Sequence, residues 1–345
     1  MHTKEQSTRK AILLLNVGTP DKPEVKSVRF YLSEFLNDPF VIDLPWVLRK
    51  LLVNLIIVPF RAPKSTQLYK QLWTEQGSPL LLNAIRLQEK LQRKVADDSD
   101  VFVAMRYGNP SIASALCEIK QKKYTNLIVV PLFPQYAAST TETALREVKR
   151  QAKKLGELPP IKEIKQFYQH PAFIRAWKAR ASQYNLSEYD HIIFSYHGLP
   201  LSHVQACHPD QNEQSCNCIS EMPDYGKFCY KATVYETTRL LASELGIGKE
   251  KYSVSFQSRL SKNWLSPFTD ELVKEQAKKG NKRILIFAPA FVADCLETIV
   301  ELGIEYAELF RAEGGEKLTM VESLNDLDQW VDALDTIITE NTGAV

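Results

Sequence analysis

The chain lacks four things that would each point to a function class. It has no apolar run long enough to cross a bilayer: Ala11 to Val17, which follows the polar opening M-H-T-K-E-Q-S-T-R-K, is far shorter than the ~20 residues of a span. No secretory signal is read there either, so the cytoplasm is the expected compartment, and its reducing poise argues against structural disulfides. Neither G-x-G-x-x-G nor G-x-x-x-x-G-K-[ST] occurs, which removes the grounds for NAD or ATP binding and leaves no nucleotide expected. Charge is balanced, with 43 Lys and Arg against 41 Asp and Glu and a formal net charge of +2, so no field draws the protein to nucleic acid.

What is present is the composition of a globular protein, 44% apolar and 24% charged over 345 residues, enough for two domains at ~150 residues each. Eight β-rich runs alternate with helical patterns: Ala11 to Val17, Val101 to Tyr107, Asn126 to Phe133, Ile161 to Phe167, His191 to Tyr196, Tyr252 to Gln257, Arg283 to Phe291 and Leu318 to Leu324. Several are almost continuously apolar, which suits parallel strands covered on both faces, so the expected class is α/β and doubly wound. Four strands are assigned to each half, with the junction near the turn E-L-P-P-I and the domains drawn as 9–158 and 159–325. A last helix, 326–340, is expected to pack back on the first. Cys117, in a helical pattern, reads as a small buried hydrophobe. The most hydrophobic window, Val47 to Phe60, contains Arg49 and Lys50; it reads as a buried helix, with an apolar lip touching a membrane surface or a greasy ligand as the alternative.

In such sheets ligands sit beyond the carboxyl ends of the strands. His197 ends one apolar run and opens a glycine-proline turn, where an imidazole serves as proton acceptor or metal ligand at neutral pH. Asp294, Glu297, Glu301 and Glu305 follow another run, and at ~100° per residue they fall within an arc of about 80°, opposite Leu296, Ile299, Val300 and Ile304. That is either a solvated face or a row of hard oxygen ligands for a divalent cation.

Four of the six cysteines, Cys207, Cys216, Cys218 and Cys229, lie within 23 residues in the pattern C-x8-C-x-C-x10-C. Zinc, an iron-sulfur cluster and free thiols all remain open, although neither gap resembles the C-x2-C knuckle of common zinc sites. His203 and His208 are substitute ligands if one cysteine is not used.

Taken in order, L-L-L-N-V-G-T-P (13–20), F-P-Q-Y-A-A-S-T-T (133–141), F-S-Y-H-G-L-P (194–200), F-Q-S-R (256–259) and A-D-C-L-E-T (293–298) resemble the ferrochelatases, over about Ala11 to Ile338. The resemblance implies two Rossmann-like domains without a nucleotide, insertion of Fe2+ into protoporphyrin IX with release of two protons, and a place at the last step of haem biosynthesis. It implies that His197 is the key base or metal ligand, that Glu297 is its acidic partner, and that Glu301 and Glu305 form a route for metal or protons. Arg106, Tyr107, Tyr69, Tyr136 and Trp264 match positions around the porphyrin, with Arg106 suited to pair a propionate. Val17 stands where coproporphyrin-using relatives carry tyrosine, which resembles the protoporphyrin branch. Cys295 stands where some members have histidine and is given no role. Some bacterial members hold a [2Fe-2S] cluster on a comparable segment, which implies Cys207, Cys216, Cys218 and Cys229 as its ligands. The rivals are a coproporphyrin ferrochelatase or other tetrapyrrole metal chelatase, a haem or porphyrin carrier without catalysis, and an iron-sulfur sensor.

Overall fold

A computed structural model describes residues 9–208 and 216–342. All eight expected strands form: β1 Lys10–Thr19, β2 Ser99–Gly108, β3 Leu127–Pro131, β4 Ile161–Glu163, β5 His191–His197, β6 Tyr252–Gln257, β7 Arg283–Phe287 and β8 Lys317–Met320. They make two parallel four-stranded sheets, ordered β2-β1-β3-β4 and β6-β5-β7-β8. The continuous apolar runs are explained by burial on both faces. Ala11, Leu13 and Leu15 of β1 join one core cluster with Leu116, Val129 and Val148, while the alternating Ile12 and Leu14 are also fully buried.

The chain divides into two compact units. One holds the residues up to Phe133, Ala138–Gln166 and Leu334 onward; the other holds Pro134–Ala137 and Phe167–Ala333. The second unit begins later than a 158/159 junction would place it, because β4 hydrogen-bonds to β3 in register Leu127↔Ile161 and so completes the first sheet. The last helix, Asp328–Thr342, contributes its first half to the second unit and its remainder to the first.

Two expectations from the sequence change. Val47 to Phe60 is not a buried helix: it spans Trp46–Leu51, the π-helical Leu52–Ile57 and the start of Val58–Leu72, and it turns Trp46, Val47, Leu48, Leu51, Leu55, Ile56 and Phe60 outward, with Leu55 67% and Phe60 74% exposed. Cys117 lies on the exposed side of helix Ile112–Gln121, whose buried side is Ile112, Ala115, Leu116 and Ile119. Among the described residues, no helix is long and apolar enough to cross a membrane.

Candidate active site and cysteine corner

In the second unit β5 is central, and its last residue, His197, pairs with Gln257 at the end of β6. The next residue is Gly198, where a Cβ would sit 2.9 Å from the Gln257 carbonyl oxygen and 3.2 Å from the Trp264 ring, so only glycine lets the turn close here. The His197 Nδ1 lies 2.6 Å from the Gly198 carbonyl oxygen. A carbonyl only accepts, so Nδ1 carries a proton, and in the neutral imidazole the lone pair is on Nε2. The rings of Trp264 and Phe291 lie 6.3 and 6.4 Å from the imidazole and form an apolar flank.

The acidic residues follow β7 on a π-helix, Glu297–Glu305, continued by α-helix Tyr306–Ala312. In a π-helix the turn is wider than 3.6 residues, so the four-residue spacing of Glu297, Glu301 and Glu305 aligns more closely than on an α-helix. Glu301 is the most strongly held. Its carboxylate accepts from the Ser258 backbone N–H at 2.8 Å, the Ser258 hydroxyl, the Tyr306 hydroxyl at 2.8 Å and Gln257 Nε2 at 3.5 Å. Ser258 reaches this position with φ +60°, a left-handed conformation uncommon outside glycine. Burial pushes the Glu301 carboxyl above the ordinary range, opposed by the Ser258 and Tyr306 hydrogen bonds; the Glu297 charge adds to the rise and His197 opposes it. Glu301 is tied to His197 through the paired ends of β5 and β6, since Gln257, the register partner of His197, also donates to that carboxylate. Glu305 is exposed.

Asp294 does not join this row. It is buried, accepting from Thr298 Oγ1 at 2.9 Å, the Ser323 N–H at 3.2 Å and Asn325 Nδ2 at 2.7 Å, and it anchors the start of the acidic helix. Cys295 is buried beside it, its thiol pushed well up by burial and then by the Glu297 carboxylate.

The first unit carries Arg106, Tyr107, Tyr69 and Val17 of the expected substrate residues. Arg106 donates from Nε to Thr143 Oγ1 at 2.8 Å and forms an ion pair from Nη2 with Asp38, whose carboxylate also accepts from the Thr143 and Tyr107 hydroxyls. The guanidinium sits 4.4 Å from the centre of the Tyr107 ring. Tyr107 is 1% exposed and Tyr69 is 7% exposed, both within an aromatic cluster with Tyr31, Phe35 and Trp73, so both pack as core. Arg106 is half-buried with Nη1 uncommitted to Asp38, and Val17 is half-buried near the end of β1. Sequence reading gave no role to Asp38, Thr143, Ser258 or Tyr306; the turn N-D-P-F and the motif F-Q-S-R were the available signals.

The described parts of the cysteine segment, 207–208 and 216–229, lie at the start of helix Tyr230–Leu245. His208, Cys218 and Cys229 are buried, and one ligand atom from each lies within 4.8 Å of the others, with His208 Nε2 3.4 Å from Cys218 Sγ and 3.3 Å from Cys229 Sγ. Cys216 is buried with its sulfur 3.6 Å from the ammonium of buried Lys231. Cys207 is the least covered of the four, its sulfur 3.6 Å from the Phe228 carbonyl oxygen. The Cys229 thiol is pulled below its ordinary range, first by the Cys218 thiol and also by the Ala232 and Lys231 N–H groups at the helix start. All six cysteines are unbridged. Soft, buried donors beside a buried cation fit a transition-metal centre. Tyr136 packs on this segment, its ring 5.4 Å from Phe228. His203 is half-buried in the short helix Leu201–Gln205 and is not part of the three-donor group.

Two α/β units, each built on a parallel four-stranded sheet, one with an imidazole at a strand end and carboxylates on the helix after another, define a chelatase-type fold. The solved structure of SirB from Bacillus subtilis with Fe3+ superposes with a TM-score of 0.56 at 13% identity, covering 96% of this chain and 95% of that one, and so shares the fold. The ferrochelatase family profile matches residues 9–342. The ferrochelatase of Legionella pneumophila (strain Lens) is 42% identical over 96% of this chain and 99% of its own length, and that of Coxiella burnetii (strain Dugway 5J108-111) is 40% identical over 94% and 91%. The chain belongs to the ferrochelatase family and is an enzyme of the chelatase type.

Proposed function

We propose that the enzyme inserts Fe2+ into protoporphyrin IX, releasing two protons, with His197 and Glu297 at the reacting centre and Glu301 and Glu305 behind them. The observation that carries this reading is an Nδ1–H imidazole at the end of β5, paired with the end of β6, where Gln257 and Ser258 hold the Glu301 carboxylate. Two pyrrole N–H groups must lose protons as iron enters, so the site needs a proton acceptor and a path for charge. The Nε2 lone pair of His197 supplies the first. Glu301, with its carboxyl held above the ordinary range, accepts a proton more readily than a surface glutamate and passes it toward exposed Glu305. Trp264 and Phe291 keep the imidazole's surroundings apolar on one side. Half-buried Val17, an aliphatic side chain, supports protoporphyrin over the more carboxylated coproporphyrin.

The test is anaerobic Fe2+ insertion followed by loss of porphyrin fluorescence, with protoporphyrin IX and coproporphyrin III in competition. His197→Ala should abolish turnover while porphyrin binding persists; undiminished insertion by that variant would sink the reading.

The cysteine corner is the proposed site of a [2Fe-2S] cluster, its ligands drawn from Cys207, Cys216, Cys218, Cys229 and His208. Such a cluster would stabilise the segment, and Cys216→Ser should bleach its visible bands and lower stability. The outward-facing apolar side chains between Trp46 and Phe60, flanked by Lys50, are proposed to rest on a membrane surface.

A further inference from the structure

The end of β5 is fastened to helix Tyr230–Leu245 by two side-chain contacts. The fully buried Tyr196 shares a hydrogen bond with Thr238 Oγ1 at 2.8 Å, and one residue on, the Tyr230 hydroxyl donates to the backbone carbonyl of His197 at 3.0 Å. We propose that Tyr230 is a positioning residue for His197: its hydroxyl fixes the peptide that leads into Gly198, and so keeps the Gly198 carbonyl on Nδ1 and the lone pair of the neutral ring on Nε2. The proposal rests on the reading of His197 as the proton acceptor, and it deepens that reading by naming what sets the tautomer of the ring.

The acceptor of the imidazole proton is the carbonyl of a glycine, the residue with the freest backbone, so its place depends on what holds the neighbouring peptides. Three bonds do. The Gly198 N–H donates to the Gln257 carbonyl at 2.8 Å and the Leu265 N–H to the Leu199 carbonyl at 2.9 Å, both from backbone to backbone. The third is the Tyr230 hydroxyl, which acts on His197 itself and is the one made by a side chain. β7 accompanies β5 only as far as Phe194, so no β7 residue is paired at His197, and the phenol supplies a donor there. Tyr230 is suited to the task, being 8% exposed and standing at the start of a 16-residue helix that is tied to β5 again at Thr238. Burial pushes its phenol above the ordinary range, so the hydroxyl stays protonated and remains a donor where the imidazole is neutral. Without that hydroxyl the carbonyl side of the peptide is released, Gly198 gains freedom to turn, and Nδ1 loses its fixed acceptor. The ring then shares its proton between two nitrogens, and the fraction with a free Nε2 falls.

The experiment uses full-length protein labelled with 15N-histidine, as wild type, Tyr230→Phe, Thr238→Val and His197→Ala. Ring nitrogens are read by proton–nitrogen correlation NMR at a pH where the imidazole is neutral, the His197 signals being those missing from His197→Ala. Iron insertion into protoporphyrin IX and melting temperature are measured on the same proteins. Wild-type His197 is expected as the Nδ1–H tautomer. Tyr230→Phe, which removes one oxygen and keeps the ring, should move both His197 nitrogens toward averaged shifts and lower kcat by about tenfold with little change in the KM for porphyrin. Thr238→Val, which releases the other tie, should lower the melting temperature and leave the His197 nitrogens where they are. A wild-type His197 protonated on Nε2 overturns the proposal without any variant, as do unchanged His197 signals in Tyr230→Phe or an equal change in Thr238→Val. The reading beneath it fails separately: full insertion by His197→Ala, or averaged nitrogens in Tyr230→Phe at the wild-type rate, takes the proton-acceptor role from His197 and leaves the positioning contact standing.

Discussion

Ser258 donates both its backbone N–H and its hydroxyl to the Glu301 carboxylate, and it does so from φ +60°. The residue that follows β6 thereby fixes the Glu301 carboxylate, and it also limits how far burial raises that carboxyl. Replacing it separates positioning from binding. Ser258→Ala should lower kcat for iron insertion by about tenfold with little change in the KM for porphyrin, and should move the acidic limb of the pH profile upward, because a lost donor to the charged form raises a carboxyl's pKa. Ser258→Asn, which tolerates a left-handed backbone and keeps a side-chain donor, should restore part of the rate. An unchanged pH profile in Ser258→Ala would show that the contact has no part in proton handling.

At the reacting centre, His197→Ala should reduce insertion by roughly 10²-fold or more, the ordinary scale of a lost general base. Fluorescence quenching on titration with porphyrin should remain, since the flank of Trp264 and Phe291 is untouched.

In the first unit, Arg106→Ala removes the ion-pair partner of a carboxylate that is almost completely buried. A stability loss of about 3 kcal/mol is expected in urea melts, because an unpaired buried charge remains. Arg106→Ala combined with Asp38→Asn should recover part of it. If Arg106 also meets a propionate, the double variant will regain stability but not the KM for porphyrin.

His191 supplies a pH dependence of folding. Burial lowers its folded pKa, and Nε2 lies 2.9 Å from Ser253 Oγ. Above the unfolded value of ~6.5 both states are neutral and nothing is lost. As the pH falls below it, the unfolded chain takes up the proton first, so stability declines toward the lower folded pKa by up to about 1.4 kcal/mol per pH unit. Urea melts between pH 7 and 5 should show a shallower decline for His191→Gln than for wild type.

The apolar surface between Trp46 and Phe60 gives a binding prediction. Leu55→Ser with Phe60→Ser should reduce co-sedimentation with anionic vesicles severalfold and leave the melting temperature almost unchanged, since both side chains are largely exposed. Equal sedimentation of variant and wild type would remove the membrane reading.

Much of this architecture is legible in the chain because parallel strands buried on both faces write themselves as unbroken apolar runs, and all eight formed, with β3, β4, β7 and β8 ending earlier than their runs. The ends were harder. Ile161 to Phe167 follows a double proline and looks like the start of a new domain, yet its first three residues pair with β3. The acidic row was legible by spacing, but a helix of 100° per residue placed Asp294 in it; the partners that turn that side chain inward, Ser323 and Asn325, lie some thirty positions away in sequence. No local pattern announces that Ser258 will take a left-handed backbone, or that an apolar window will face outward.

The two sheets share one strand order, and their central strands can be aligned by register. Leu15 is the last residue of β1 paired with β3, and Phe194 the last of β5 paired with β7; three residues on stand Gly18 and His197. At Gly18 a Cβ would come within 1.8 Å of the Tyr107 carbonyl oxygen, so no side chain fits at the place matching the imidazole. One strand order is thus used twice while the imidazole stands in only one of the two sheets: a single close backbone approach bars any histidine from the matching point of the other.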